Sequence, residues 1–109
     1  MMYPKHKYIR SKKLLENARQ IPCQCCMADD GTVVAAHTNW GGGKGKSVKA
    51  DDNMIASLCH KCHMELDQGT RMSKAERMAM WFDAHYLTVH ILNLRGLWPD
   101  DVPLPKGFS

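Results

Sequence analysis

The stretch LCHKCHMELDQG, residues 58–69, decides how the rest of this sequence is interpreted. Cys59 and Cys62 form a CxxC pair, a short turn from which two sulfurs can bind one ion. A structural zinc knuckle needs only these two residues from this part of the chain, which leaves His63 and Asp67 without a role. Whether they belong to a second site separates a zinc-stabilised binding module from an enzyme.

A second CxxC pair, Cys23 and Cys26, is separated from the first by 32 residues. Two such pairs are typical of a tetrahedral Zn²⁺ site with four thiolate ligands, which joins two distant parts of a chain. The segment CQCC also offers Cys25 as an alternative partner, but the spacing of Cys23 and Cys26 matches that of the other pair. We therefore predict structural zinc on the two pairs and expect Cys25 to be a small apolar residue or an exposed thiol.

Length and charge limit the class of protein. With 109 residues the chain is expected to form one domain, residues 1–109, around a small core. It has no apolar run of about 20 residues and no secretory signal pattern, so we expect a cytoplasmic protein. The formal net charge is +4, with most of the excess in residues 1–20. A polyanionic partner would explain this asymmetry, and so would an ordinary solvated terminus. The candidate DNA-binding residues are Lys12, Lys13, Lys44, Lys46 and Lys49.

Local signals predict an α+β fold. Ser11 would cap a basic N-terminal helix over about residues 11–20. The segment TVVAAH predicts a strand that ends at His37, and MIASL predicts a second strand. A glycine-rich loop that carries three lysines separates the strands, and a short helix is expected over about residues 60–68. This core, about residues 21–69, is followed by further elements.

The strongest helix signal lies after this core. Ser73 and Glu76 have the spacing of a capping box at the start of a helix predicted over about residues 73–95. Its predicted apolar positions recur at helical spacing: Met78, Phe82, His85, Val89 and Leu92. Residues 97–109 contain three prolines and are expected to form an extended or disordered tail.

Three further histidines are not expected to be ligands. His60 lies between the cysteines of the second pair, and we expect it at the surface. His85 and His90 lie on the long helix, where packing or exposure is the more ordinary role.

His63 and Asp67 are candidates for a second metal site. On a helix that begins at the second knuckle, these positions share one face with Cβ atoms about 6 Å apart, close enough to hold one divalent ion. Taken alone, the pair is better explained as coincidence. His37 strengthens the case, because the strand, loop, strand and helix can bring it opposite His63. A histidine there could accept a proton from water while an ion neutralises charge on a phosphate.

Four segments in order along the chain, PCQCC, AAH, GGGKGKSVKADDN and LCHKCHMELD, resemble the HNH, or ββα-metal, endonucleases. Among these the sequence is similar to the YbcO-like small nucleases of phages and prophages. The resemblance covers about residues 21–68. It implies a small ββα-metal core, hydrolysis of DNA phosphodiester bonds, structural Zn²⁺, catalytic Mg²⁺ or Mn²⁺, and a place in the cytoplasm of a bacterial host, linked to DNA recombination or repair.

The resemblance also implies roles for single positions. His37 matches the histidine that activates water. Asn53, or else Asp52, matches the middle position that braces the loop and orients this base. His63 matches the final histidine, a ligand of the catalytic ion, and Asp67 falls where a second ligand is expected. The four paired cysteines match the zinc knuckles that frame the unit in many members.

Ala36 is a departure from the family pattern, because many HNH nucleases carry an acidic metal ligand directly before the first histidine. The catalytic ion would then have two protein ligands, with water and phosphate completing its shell, as Mg²⁺ tolerates. Alternatively, Asp51 or Asp52 could turn towards the ion. A third alternative is that His37 binds metal, with catalysis weak or lost.

The leading hypothesis is therefore a metal-dependent endonuclease that uses His37 as its base and acts on DNA. Its rival is a zinc-stabilised DNA-binding accessory protein without an effective catalytic centre, with a recombination protein as a further candidate partner. A purely structural zinc domain is the third hypothesis, and the basic N-terminus argues against it. Oligomeric state, monomer or homodimer, stays open.

Overall fold

Five regular elements make up the part of the chain that the computed structural model describes, residues 9–37, 51–68 and 72–105, with the side chains of residues 67 and 68 excepted. In chain order they are α1 (Lys12–Ala18), β1 (Val34–His37), β2 (Ile55–Leu58), α2 (His60–Gln68) and α3 (Lys74–Leu94). The α+β class is confirmed, with a two-stranded antiparallel sheet and three helices in these ranges. None of the described helices has the length and apolar character that would let it cross a membrane.

Helix α1 begins where the sequence predicted and ends earlier. The Oγ atom of Ser11 accepts a hydrogen bond from the backbone N–H of Leu14 at 3.1 Å, which satisfies one of the unpaired donors of the first turn. Leu14, Asn17 and Ala18 are buried on the inner face. The helix ends at Ala18, with Arg19 as its C-cap, because Pro22 cannot continue it.

Strand β2 lies at the centre of the molecule. It pairs antiparallel with β1, so that Val34 lies opposite Leu58 and His37 opposite Ile55. All four residues of β2 are buried. Successive side chains point to opposite faces of a strand, and here each face has its own core cluster. Ala56 packs in the cluster that contains the cysteines, whereas Ile55 packs with α1, the C-terminal half of α3 and the segment after it.

Helix α3 has the predicted capping box. The Ser73 side chain accepts from the Glu76 N–H at 3.1 Å, and the Glu76 carboxylate accepts from the Ser73 N–H at 2.8 Å. The predicted apolar face is wrong at Phe82, which is 43% exposed. The inward position belongs to its neighbour Trp81, which is fully buried, and Phe82 meets the edge of that ring with centroids 4.9 Å apart.

The segment after α3 differs from the extended tail that the sequence predicted. Residues 97–105 fold back on the core cluster that contains Ile55, and Trp98 and Val102 are only 9% and 5% exposed. The Trp98 indole N–H donates to the Val102 carbonyl at 2.9 Å, which closes a turn. The Asn17 side chain donates to the Leu97 carbonyl at 2.7 Å and so ties this segment to α1. The burial of two large apolar side chains outweighs the tendency of a proline-rich segment to stay extended.

Candidate metal centre and the His37 site

The two cysteine pairs meet in the tertiary structure. The Sγ atoms of Cys23, Cys26, Cys59 and Cys62 all lie within 4.8 Å of one another. Cys26 and Cys59 have their sulfurs 3.6 Å apart. A tetrahedron with Zn–S bonds of about 2.3 Å has an edge of about 3.8 Å, so this donor set fits zinc in both element and spacing. The predicted four-cysteine site is confirmed as a cluster that could hold a metal ion such as zinc.

Backbone geometry aims the first pair. A tight turn after Cys23 lets the backbone N–H groups of Cys25 and Cys26 approach its sulfur, both at 3.4 Å. Met27 takes a left-handed conformation with φ 67°, and its N–H donates to the Cys23 carbonyl at 2.8 Å. The N–H of Cys23 in turn donates to the Ala28 carbonyl at 2.9 Å. The knuckle is thus fixed by its own backbone.

The second pair is placed by β2 and α2. Cys59 follows the last residue of β2, and Cys62 lies in the first turn of α2. The His63 N–H donates to the Cys59 carbonyl at 2.9 Å, so the helix starts at the knuckle itself. Because β2 is buried at all four positions, the second pair has a rigid base.

Electrostatics of the cluster favour a bound cation. Burial opposes ionisation of Cys23, but backbone hydrogen bonds from Cys26, Cys59 and Cys25 outweigh it and lower the pKa of this thiol to about 7. Burial raises the pKa of Cys62, and its close contacts with the other sulfurs raise it further. Four thiolates this close repel one another, whereas a divalent ion at their centre lets all of them ionise.

Cys25 does not belong to this group. It is exposed, and its sulfur lies outside the set of four. The expectation of an exposed thiol is therefore confirmed.

A second polar centre lies at the far end of the sheet, where β1 ends. The Nε2 atom of His37 lies 2.9 Å from Oδ1 of Asp52, whose side chain is only 8% exposed. The other carboxylate oxygen accepts from the Ser11 N–H at 2.8 Å, and the Asp52 N–H donates to the Ile9 carbonyl at 2.8 Å. Residues just before α1, more than forty positions earlier in the chain than Asp52, thus hold this carboxylate against His37.

This contact fixes the tautomer of His37. A carboxylate oxygen can only accept, so the Nε2–H group donates, and the neutral ring keeps Nδ1 as its acceptor. The side chain is 34% exposed and so can be reached from solvent. A partly exposed histidine whose tautomer is set by a carboxylate has the arrangement expected of a general base.

The two candidates for the middle position have different partners. Asp52 contacts His37, whereas the Asn53 side chain donates to the Pro103 carbonyl at 3.1 Å. Both are buried. In this structure Asn53 anchors the segment after α3, and Asp52 is the residue in position to orient the histidine.

The predicted divalent site has less support than the cysteine cluster. Among the described residues, the four cysteines are the one group of three or more candidate ligands close enough to share an ion. His63 is half-buried near the start of α2, and the side chain of Asp67 lies outside the described atoms. His37 pairs with Ile55 at one end of β2, whereas α2 begins just after Leu58 at the other end. Three residues separate Ile55 from Leu58, which is about 10 Å along the strand.

The remaining predicted residues are placed as follows. Lys12 and Lys13 are exposed at the start of α1. Lys44, Lys46 and Lys49 lie outside the described residues. The remaining predictions for histidine are confirmed: His60 and His90 are exposed, and His85 is buried in packing.

Sequence reasoning missed several residues around His37. Ser11 was interpreted only as a helix cap, yet its backbone binds Asp52. The Arg10 guanidinium lies 3.7 Å from the same carboxylate. On α3, the Trp81 and His85 side chains bond to the backbone of the two strands. The basic run at the N-terminus was a signal for Arg10 as a cation, but nothing local indicated which carboxylate it would meet.

Comparison with known proteins gives a fold and no family. No protein-family model matches the chain, and no curated protein matches it. One solved structure with a similar fold is described as "a putative bacteriophage protein from Escherichia coli str. K-12 substr. MG1655". The similarity has a TM-score of 0.55 at 22% sequence identity and covers 74% of this chain and 96% of that chain. Fold and site together define a small α+β protein with a four-cysteine centre suited to zinc.

Proposed function

We propose that this protein is a metal-dependent endonuclease of the HNH, or ββα-metal, class that hydrolyses DNA phosphodiester bonds. The observation that carries the proposal is the His37–Asp52 contact at 2.9 Å, at the end of the first strand in a β1, β2, α2 order. The resemblance of the surrounding motifs to HNH nucleases gives this pair its expected role.

In the proposed reaction, Nδ1 of His37 takes a proton from a water molecule. The resulting hydroxide attacks phosphorus, one P–O ester bond breaks, and the leaving oxygen takes a proton from solvent. Asp52 holds the ring in the required tautomer and stabilises the imidazolium that forms. A divalent ion, Mg²⁺ or Mn²⁺ with His63 and Asp67 as candidate ligands, would supply positive charge for the phosphate.

The cysteine cluster has a structural part in this proposal. Zn²⁺ on Cys23, Cys26, Cys59 and Cys62 would join the segment before β1 to the start of α2. Such a link fixes the hairpin relative to α2. The metal centre therefore supports the site at His37 without taking part in the reaction.

A phage origin is part of the proposal. The solved structure with a similar fold is described as a "putative bacteriophage protein", and the motifs resemble those of phage and prophage nucleases. DNA would be the substrate, with a role in recombination or repair and a recombination protein as a further candidate partner.

The direct test is nicking of supercoiled plasmid by zinc-loaded protein with Mg²⁺ or Mn²⁺. We expect cleavage by the wild type and a loss of about 100-fold or more in His37→Ala. His90→Ala is the matched control, because this histidine is exposed on α3 and outside the site. Full activity in His37→Ala would disprove the assigned base, and inactivity of the wild type with every ion tested would disprove the nuclease.

A zinc-stabilised DNA-binding protein without cleavage is the second candidate function. The observation that favours it is Ala36, which stands where many HNH nucleases carry an acidic ligand and is 3% exposed. This candidate predicts salt-sensitive DNA binding by the wild type and by His37→Ala alike, with no nicked product.

A further inference from the structure

Helix α3 holds the end of the hairpin that carries His37. The indole N–H of Trp81 donates to the Ala36 carbonyl at 3.0 Å, and Nδ1 of His85 donates to the Ile55 carbonyl at 2.7 Å. Both side chains are buried, and their rings stack with centroids 4.7 Å apart at an interplanar angle of 13°. One turn of α3 therefore binds both strands at once.

The two carbonyls belong to the residue before His37 and to the residue opposite it. Ala36 directly precedes His37 in β1, and Ile55 is its partner in β2. A shift of either strand would move the His37 ring relative to Asp52, which is held from another direction by the backbone of Ser11. The distance between ring and carboxylate thus depends on the positions of both strands and on the bond from Ser11 to Asp52.

We propose that Trp81 and His85 are positioning residues for His37, a role that rests on the proposed function. Their role is indirect, because both side chains are buried and bond to backbone carbonyls of the strands. They fix the backbone of β1 just before His37 and the backbone of its partner Ile55 in β2. The ring of His37 is then held so that its Nε2 meets Asp52 and its Nδ1 keeps one direction. A displacement of about 1 Å at a catalytic group can cost about 100-fold in rate, which makes such fixing worthwhile.

Packing alone does not explain this choice of side chains. Phenylalanine at 81 or leucine at 85 would fill most of the buried volume with no polar atom to satisfy, whereas buried polar groups need partners. Trp81 and His85 both find their partner on the strand ends at His37.

Thr88 provides a matched comparison one turn further along α3. Its hydroxyl accepts from the Ser57 N–H at 2.9 Å, so it also joins α3 to β2. Ser57 lies opposite Ala35, two residues away from His37 in β1. Loss of this bond should loosen the same pair of elements without displacing His37.

The experiment uses four variants of the 109-residue, zinc-loaded chain. Trp81→Phe keeps a ring and removes the N–H donor, and His85→Leu removes the other donor. His85→Asn keeps an N–H at a similar reach and serves as the conservative rescue. Thr88→Val is the control. Circular dichroism and zinc content establish that each variant is folded before any assay.

Two measurements decide the outcome. The first is plasmid cleavage, in which Trp81→Phe and His85→Leu should lower kcat about 10-fold or more with KM unchanged. His85→Asn should recover most of this loss, and Thr88→Val should keep wild-type kcat. The second is the pair of ¹⁵N chemical shifts of the His37 ring, which report its hydrogen bond to Asp52 without any DNA. These shifts should change in Trp81→Phe and His85→Leu and stay unchanged in Thr88→Val.

The proposal would be overturned if the ¹⁵N shifts of the His37 ring in both Trp81→Phe and His85→Leu matched those of the wild type. It would also be overturned if the shifts changed equally in Thr88→Val. If the wild type cleaves no DNA, the proposed function fails, but the ring shifts still decide whether α3 positions His37. The two failures are therefore distinguishable.

Discussion

Nε2 of His37 lies 2.9 Å from Oδ1 of Asp52, a residue fifteen positions later in the chain. The same carboxylate is bound by the backbone of Ser11, 41 positions before it. Three separate segments therefore meet at one side chain that is almost fully buried. This junction, more than any single motif, forms the candidate catalytic site of the molecule.

Replacement of Asp52 by Asn should lower cleavage activity by about 10-fold to 100-fold. The amide group carries no charge to stabilise an imidazolium and can no longer select one tautomer of His37. In contrast, Asn53→Ala should keep its kcat and lose about 1 kcal/mol of unfolding free energy, because it loses only the bond to Pro103. Plasmid cleavage and urea denaturation measure the two effects. The reverse pattern would return the orienting role to Asn53.

Neighbouring cysteines should differ sharply in their effect on zinc. Cys26→Ser should lower the bound zinc well below one ion per chain and lower the melting temperature, because it removes one of four clustered sulfurs. Cys25→Ser should keep both properties, since this thiol is exposed and outside the cluster. Both positions are exposed, so the pair is a matched comparison. Zinc content by atomic absorption and thermal denaturation decide it, and equal zinc in both variants would argue against the assignment.

His85 should make the protein less stable in acid. Burial lowers the pKa of His85 below the usual 6.5, and the bond to Ile55 opposes this only in part. The unfolded chain then binds a proton more readily than the folded chain, so this contribution is complete above about pH 6.5 and is lost as the pH falls towards the folded pKa. The unfolding free energy of wild type minus that of His85→Asn should therefore shrink as the pH falls below about 6.5. Groups that titrate in both proteins cancel in this difference, and a constant difference would contradict the prediction.

The segment after α3 should contribute to stability. Trp98→Ala removes a buried indole and its hydrogen bond to Val102, and should cost about 3 to 5 kcal/mol of unfolding free energy. Leu94→Ala is the control, because Leu94 is 72% exposed and its loss should stay within about 0.5 kcal/mol. Chemical denaturation measures both. Similar values for the two variants would mean that the segment does not pack on the core in solution.

Arg10 should contribute to DNA binding at the candidate site. Its guanidinium lies 3.7 Å from the carboxylate that holds His37, so a phosphate that reaches His37 comes close to this positive charge. Arg10→Ala should weaken binding and reduce the slope of log K against log salt by about one. Arg95→Ala, an exposed arginine at the C-cap of α3, should change the slope less. Fluorescence anisotropy over a salt series measures both slopes, and identical slopes would exclude a local role for Arg10.

Local chemistry could be predicted where one short segment decides the outcome. Ser11 and the Ser73–Glu76 capping box mark the starts of two helices, because caps satisfy backbone donors within a single turn. The spacing within each CxxC pair predicted sulfurs that could share a metal ion for the same reason, since a tight turn aims both sulfurs. The apolar, strand-favouring composition of TVVAAH and MIASL indicated β1 and β2 without any knowledge of their neighbours.

Contacts between distant segments could not be predicted in this way. Asp52 and Asn53 are adjacent and of similar size, and only the arrangement of the N-terminal segment and the segment after α3 gives the first to His37 and the second to Pro103. Three prolines suggested an extended tail, but the burial of Trp98 depended on a surface built by α1, β2 and α3. The sequence by itself thus determined the helix caps, the strands and the turn within each CxxC pair, each set by neighbours in the chain. Only the tertiary structure decided which carboxylate orients the histidine, because that choice depends on which segments pack together.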